Sequence, residues 1–271
     1  MGPIAFAVSA ALTYGTSDFL GGLASRRMPV VRVVLWSQIV GLAAIAVVAP
    51  ILGGVPTASE LGLGAVAGLA GAGGLLSLYR GLSTGESGVV APVSGVVAAV
   101  LPALVAIAAG ERPDGVTLVG FLLAFAAVWL VSGGRLRAGS GVVLGLAAGV
   151  GFGSFAIAMG PVAVSAGLWP LVPARVASIG LLLVVSGRLR STVPSAGSRR
   201  LLVAVGLGDM GANAMILLAL QHGPLGEGAV LSSLYPVATV VLSAIVLKER
   251  VRAGQWAGIG LAVAAMALIA S

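Results

Sequence analysis

Long runs of apolar residues alternate with short polar connections along the whole chain. A helix that crosses the hydrocarbon core of a bilayer needs roughly 20 predominantly apolar residues. Ten runs come close to that length, so the pattern predicts an all-α membrane protein with ten transmembrane helices. The predicted spans are residues 3–23, 31–51, 61–81, 87–109, 115–133, 141–160, 167–187, 201–221, 226–247 and 254–270.

The composition agrees with a chain whose main solvent is lipid. Only 8% of the residues are charged and 59% are hydrophobic, and a soluble domain needs more polar surface than this. The 42 glycines suit membrane helices, because glycine lets two helices approach closely. Gly141, Gly145, Gly149 and Gly153 recur every fourth residue and predict a tightly packed face on the sixth span.

The chain also overlays on itself at an offset of 138 residues, which brings Gly110-Glu111-Arg112 onto Lys248-Glu249-Arg250. The same offset brings Gly15 onto Gly153 and Gly68 onto Gly206. A tandem repeat in an apolar chain is typical of membrane transporters. The two predicted five-helix halves are residues 1–138 and 139–271.

Charges in corresponding loops indicate that the two halves have opposite orientations. The connection at residues 24–32 contains three arginines and its repeat partner at 161–167 contains none. The connection at 52–60 has no arginine, whereas its partner at 188–200 has four. An odd number of spans per half inserts the second copy upside down, so we predict an inverted repeat.

The basic residues also predict the orientation of the whole chain. Of the 15 basic residues, Arg112 alone falls in the loops of one side, Arg175 lies within a span, and the others share the opposite side. Positive loops face the cytoplasm, so both termini are predicted outside. The net charge of +7 is then explained by the membrane, and we expect no nucleic-acid partner.

Several classes of chemistry have no residues to support them. Lys248 is the only lysine and no glycine-rich loop precedes it, so a Walker-type phosphate loop is missing. The chain has one histidine, His222, and no cysteine, which excludes a zinc site built from these ligands. We therefore expect no metal, no cofactor and no enzyme; acid/base catalysis by Asp18, Arg175 and Asp209 is the minor alternative.

Ionisable groups in a span cost roughly 2.5–3.5 kcal/mol each on insertion scales and usually face a cavity or a partner. Asp209 lies within the eighth span, with Asn213 one turn later on the same face. Its repeat mate is Gly71, so the acid belongs to one half only. Asp209 is predicted to bind a proton or a cationic group of a substrate, or to form a buried ion pair with Arg175.

Arg175 follows Pro170 and Pro173 in the seventh span, and these prolines predict a helix that is broken or bent near the arginine. Interrupted helices often mark binding sites in transporters. Three roles stay open for Arg175: binding an anionic substrate group, neutralising Asp209, or reaching toward the membrane interface.

Asp18 shares a helical face with Tyr14 in the first span, and it is either a site residue or an interfacial one. Trp36 and Gln38 in the second span, and Tyr79 in the third, are predicted to extend the polar lining.

The repeat pairs Ser94 in the fourth span with Ser232 in the ninth. Pro92 and Pro102 are predicted to interrupt the fourth span. Both serines can return their hydroxyls to their own backbone. Tyr235 is the stronger candidate, because its hydroxyl needs a polar partner away from lipid.

Three segments carry a resemblance to a known family: Tyr14-Gly15-Thr16-Ser17-Asp18-Phe19, Ala91-Pro92-Val93-Ser94, and the paired motifs at 110–112 and 248–250. The chain resembles the EamA-like members of the drug/metabolite transporter (DMT) superfamily over its whole length. The resemblance implies a central cavity lined by spans 1–4 and 6–9, with spans 5 and 10 peripheral. It also implies secondary transport of small metabolites, often export of amino acids, and cytoplasmic termini, in contrast to the loop charges.

We thus expect a multi-pass transporter of the plasma (inner) membrane that exports a small metabolite, such as an amino acid or a related amphoteric solute, by alternating access. The alternatives are a channel or scramblase and a non-transporting scaffold subunit. Its partners are the solute and the lipid bilayer, and a homodimer is left open. Asp209 and Asp18 are the candidates for proton coupling. The predicted substrate-binding residues are Tyr14, Asp18, Trp36, Gln38, Ser94, Arg175, Asp209, Asn213 and Tyr235.

Overall fold

A computed structural model describes residues 2–84, 87–131, 140–186, 196–246 and 253–269. These residues form α-helices and one short 3₁₀-helix, with no strand among them. The helices are α1 (Pro3–Ser25), α2 (Val30–Leu52), α3 (Ala58–Ser83), α4 (Ser87–Ala108), α5 (Gly115–Val131), α6 (Ser140–Met159), α7 (Leu171–Ser186), α8 (Ala196–His222), α9 (Leu225–Ser232), α10 (Tyr235–Val246) and α11 (Ala253–Ile269), and the 3₁₀-helix is Val164–Ala166.

The predicted all-helical class is therefore correct for the described part of the chain. Four of its helices are long and apolar enough, by length and composition, to cross a membrane. Apolar helices of 10–17 residues are also found there, so the number of spans stays a prediction. The four long segments are Val30–Leu52, Ala58–Ser83, Gly141–Met159 and Ser198–His222.

The seventh span differs from its prediction at its start. Helix α7 begins at Leu171, and Pro173 lies in its first turn. Backbone N–H groups of a first helical turn have no partner within the helix, so proline is tolerated there. The predicted break near Arg175 is wrong, because the prolines precede or open a helix that continues through Arg175. A bend at this point stays a prediction.

The fourth and ninth spans also differ from their predictions. Helix α4 runs from Ser87 to Ala108 without a break, so the predicted interruption at Pro92 and Pro102 is wrong. Proline inside a membrane helix is tolerated where neighbouring groups compensate for the lost backbone bond. The break falls in the ninth span, where α9 ends at Ser232 and α10 begins at Tyr235.

Helix contacts follow the 138-residue repeat. Helix α1 packs on α8, and the equivalent helices α6 and α3 pack on each other. In the same way, α2 packs on α8 as α7 packs on α3. Helices α5 and α11 are equivalent to each other and form their main contacts together. Most of the large interfaces therefore join one half of the sequence to the other.

Glycines determine how closely these helices approach. A Cβ atom added at Gly145 would lie 2.7 Å from Val93 Cβ, and one added at Gly149 would lie 2.5 Å from Val97 Cβ. Both contacts are shorter than side chains tolerate, so α4 rests directly on the backbone of α6. The tightly packed face predicted on the sixth span is thus confirmed at these glycines.

Candidate functional site

A cavity lies at the centre of the bundle, with about 820 Å³ of space free of atoms, counting its opening. Residues of α1–α4 and α6–α10 line it. Among the described residues, none that lines it belongs to α5 or α11. The predicted site residues that line the cavity are Tyr14, Asp18, Gln38, Arg175, Asp209, Asn213 and Tyr235.

The cavity is chemically asymmetric although its backbone follows the repeat. Helices α1 and α8 contribute Asp18 and Asp209, together with Tyr14 and Asn213. The repeat mates of these four residues also line the cavity, but they are Ala156, Gly71, Phe152 and Leu75. The cavity-lining residues of α1 and α8 therefore include charges, whereas those of their repeat equivalents, α6 and α3, are apolar.

A buried ion pair joins α7 to α8. Arg175 Nη1 lies 2.7 Å from Asp209 Oδ2, and the two side chains are only 7% and 8% exposed. This geometry confirms the predicted ion pair. The alternative in which Arg175 reaches toward the membrane interface is wrong, because its guanidinium points into the bundle toward an acid.

Gln38 of α2 completes a network that holds three helices together. Its Oε1 accepts hydrogen bonds from Arg175 Nη1 and from Ser178 Oγ, the latter at 2.8 Å. Its Nε2 donates to Asp209 Oδ2 at 3.3 Å. The amide can serve both members of the ion pair because it carries an acceptor and two donors. Ser178 was not among the predicted residues, although its position three residues after Arg175 puts it on the same face.

Asp209 has a third partner within its own helix. Asn213 Nδ2 donates to the backbone oxygen of Asp209 at 2.6 Å and lies 3.4 Å from its Oδ1. Both oxygens of the carboxylate consequently have donors close to them. Since Asp209 and Asn213 also line the cavity, the face predicted from their spacing is present in the structure.

Asp18 has a different environment. It is 4% exposed and lines the cavity, so the structure places it inside the bundle. No ion pair of Asp18 occurs among the described residues. The hydroxyl of Tyr79 lies beside it, but that hydroxyl makes no hydrogen bond of good geometry with any described residue.

Tyr235 finds its polar partner on the equivalent helix of the other half. Its hydroxyl is hydrogen-bonded to the hydroxyl of Ser94, which is fully buried. Ser94 Oγ also donates to the backbone oxygen of Ala91 at 2.9 Å, so its single proton is used and Tyr235 is the donor to Ser94. Ser94 supports the cavity wall without lining it.

Trp36 does not line the cavity, in contrast to the role predicted for it. It packs against a buried apolar cluster to which α1–α4 and α6–α8 contribute side chains. Its indole N–H has no partner among the described residues.

Two lining residues that the sequence did not single out are Phe152 and Phe155 of α6. In an apolar span, no local signal separates an aromatic residue facing a cavity from one facing a helix or lipid.

Glu111 lies away from the cavity, in the loop between α4 and α5. Its Oε1 accepts from the backbone N–H of Leu225 at 2.8 Å, and its Oε2 accepts from that of Gly226 at 3.1 Å. The carboxylate thus caps the first turn of α9 in the other half, where a negative charge is favoured. Its repeat mate Glu249 lies outside the described residues.

Asp114 follows in the same loop and caps α5, since its Oδ1 accepts from Thr117 N at 2.7 Å. Hydrogen bonds from Thr117 lower the pKa of this carboxyl, so it is charged at neutral pH.

Comparison with known proteins gives one family. The EamA-like transporter family matches twice, over residues 1–133 and 139–271. Among the solved structures with a similar fold is a crystal structure that matches with a TM-score of 0.77 and 19% identity, over 98% of this chain and 95% of the other. No curated protein matches. Two matches that cover nearly the whole chain, on apolar helices around a cavity, show that this multi-pass membrane protein belongs to the EamA-like transporter family of the DMT superfamily.

Proposed function

We propose that the protein is a secondary active transporter that carries a small metabolite by alternating access across the plasma or inner membrane. The observation that carries this proposal is the central cavity, in which Asp18, Arg175 and Asp209 lie among otherwise apolar helices. Placing a charged side chain inside a membrane costs free energy, and such residues usually pair with one another or line a pathway for a substrate or an ion. Membership of a transporter family supports the same conclusion.

The proposed architecture is ten spans arranged as an inverted repeat, with halves at residues 1–138 and 139–271. The pairing of α1 with α8 and of α6 with α3 supports it, because equivalent helices have equivalent neighbours. In this arrangement α9 and α10 together form the ninth span, and the turn between them lies at the cavity. Non-helical backbone at such a depth is tolerated where it lines a cavity.

The proposed solute is small and carries a basic group, as amino acids and related amphoteric compounds do, and export is the proposed direction. Both signs of charge line the cavity, and the aromatic rings of Phe152 and Tyr235 meet edge to face there, with centroids 6.3 Å apart. A cavity with a polar and an apolar part suits a solute that has both.

Proton coupling is proposed through one of the two cavity carboxylates, Asp18 or Asp209. The titratable groups near them are Arg175, Tyr14, Tyr79 and Tyr235. Asp209 already forms an ion pair with Arg175, so Asp18, which has no ion pair among the described residues, is the better candidate for carrying a proton through the cycle.

The test is uptake of radiolabelled small metabolites, including amino acids, into liposomes that contain the purified protein, with and without a pH gradient. We expect saturable uptake that a pH gradient accelerates, and loss of the gradient effect in Asp18→Asn. Asp114→Asn is the matched control, because Asp114 lies outside the cavity and asparagine preserves its capping bond. Absence of saturable uptake for every solute tested, with folded protein, would contradict the proposal.

A further inference from the structure

The charges in the cavity do not balance. Asp18 and Asp209 contribute two carboxylates, and Arg175 is the one basic residue among the described residues that line it. The ion pair uses Arg175 for Asp209. With both acids ionised, one negative charge is therefore left over, and it belongs to Asp18.

The surroundings of Asp18 leave room for a ligand. Its carboxylate is 4% exposed, and what is exposed faces the cavity. Asp209 is close enough to repel it electrostatically. A buried charge without a counter-charge is unfavourable, and a bound cation would remove that penalty.

Arg175, in contrast, already has a counter-charge in Asp209. Its Nε donates to Met210 Sδ at 3.3 Å, and its Nη1 contacts Gln38 and Asp209. Its remaining nitrogen, Nη2, is buried and has no partner among the described residues. An incoming carboxylate would have to displace one of these protein contacts to make a bidentate pair with the guanidinium.

We infer that Asp18 is the group that binds the amine of the transported solute, and that a carboxylate on the solute adds no affinity. This inference rests on the proposed function, which it makes more specific. The ammonium group contacts Asp18 in a charge-assisted hydrogen bond, with the Tyr79 hydroxyl beside it. The apolar part of the solute lies against Leu75, Phe152 and Phe155, on the uncharged side of the cavity formed by α3 and α6.

The experiment is equilibrium binding to the purified protein in lipid nanodiscs, with four probes that share one phenyl ring. Phenethylamine carries an amine, phenylalanine an amine and a carboxylate, 2-phenylethanol a neutral group of similar size, and phenylacetate a carboxylate alone. We expect phenethylamine to bind saturably and at least tenfold more tightly than 2-phenylethanol. We expect phenylalanine to bind no more tightly than phenethylamine, and phenylacetate to bind most weakly.

Asp18→Asn should weaken phenethylamine binding at least tenfold and leave that of 2-phenylethanol unchanged, whereas Asp114→Asn should change neither. Equal binding of phenethylamine and 2-phenylethanol to the unaltered protein would overturn the inference, even if Asp18→Asn fails to fold. The inference would also be overturned if phenylalanine bound more tightly than phenethylamine, or if phenethylamine did not bind at all. Unchanged binding of phenethylamine to folded Asp18→Asn would overturn it as well.

The result is separable from the proposed function. Saturable transport of another solute without binding of phenethylamine would contradict this inference and leave the proposed transport function intact. Amine binding at Asp18 without any transport would support the site and contradict the transporter.

Discussion

Three charged side chains illustrate at the residue scale how differently a membrane interior can accommodate charge. Arg175 and Asp209 neutralise each other, and Gln38, Ser178 and Asn213 provide further hydrogen bonds. Asp18 has no counter-charge among the described residues and faces the cavity. The paired charges thus stabilise the bundle, whereas the unpaired one is available to a ligand.

Removing one member of the pair should therefore destabilise the protein strongly. Arg175→Met leaves a buried, uncompensated carboxylate, and such losses cost about 3–5 kcal/mol. Arg175→Met combined with Asp209→Leu removes both charges and should recover most of the stability while transport stays lost. Thermal unfolding in detergent measures the first effect and liposome uptake the second. A double variant that transports normally would show that the pair has no part in transport.

At the element scale, the helices are held by close glycine contacts and by caps that cross between the halves. Gly149 lets α4 lie on α6, and Glu111 of the first half caps α9 of the second. Both contacts depend on backbone atoms, so the sequences of α4 and α9 do not reveal them.

Gly149→Ala should destabilise the protein by about 1–3 kcal/mol through overpacking, because its new methyl group would lie 2.5 Å from Val97 Cβ and 2.7 Å from the Ser94 backbone oxygen. Gly73→Ala is the matched control on α3, since no atom lies within 4 Å of a Cβ there. That control should be neutral or stabilising by up to about 1 kcal/mol, as alanine favours helix. Equal melting temperatures for the two variants would contradict the packing described.

Glu111→Gln should loosen the start of α9. Glutamine has one acceptor oxygen and no charge, so it can cap only one of the two amides that the carboxylate serves. The expected cost is about 0.5–2 kcal/mol, seen as faster hydrogen exchange at Leu225 and Gly226. Unchanged exchange at these two amides would show that the cap contributes nothing.

At the scale of the whole molecule, the prediction succeeded where the signal is local or periodic. The apolar runs gave most helix positions, as in the prediction of 31–51 for Val30–Leu52. Helical spacing put Asp209 beside Asn213, and the scarcity of buried charge suggested the pair of Asp209 with Arg175. These inferences need only the helix period and the cost of charge in lipid.

The remaining features depend on contacts between distant parts of the chain. Nothing local shows that Gln38 bridges α7 and α8, or that Trp36 faces other helices while Phe152 faces the cavity. The prolines were also misleading, because their effect depends on whether a helix begins beside them, as at Pro173, or continues through them, as at Pro102.

Counterflow is the most direct test of the central claim that the cavity belongs to an alternating-access carrier. Liposomes preloaded with a high concentration of unlabelled solute are diluted into a trace of the labelled solute. A carrier exchanges the two, so the label should rise transiently above its equilibrium level inside. Entry of the label to equilibrium without this overshoot would contradict a carrier and indicate a channel.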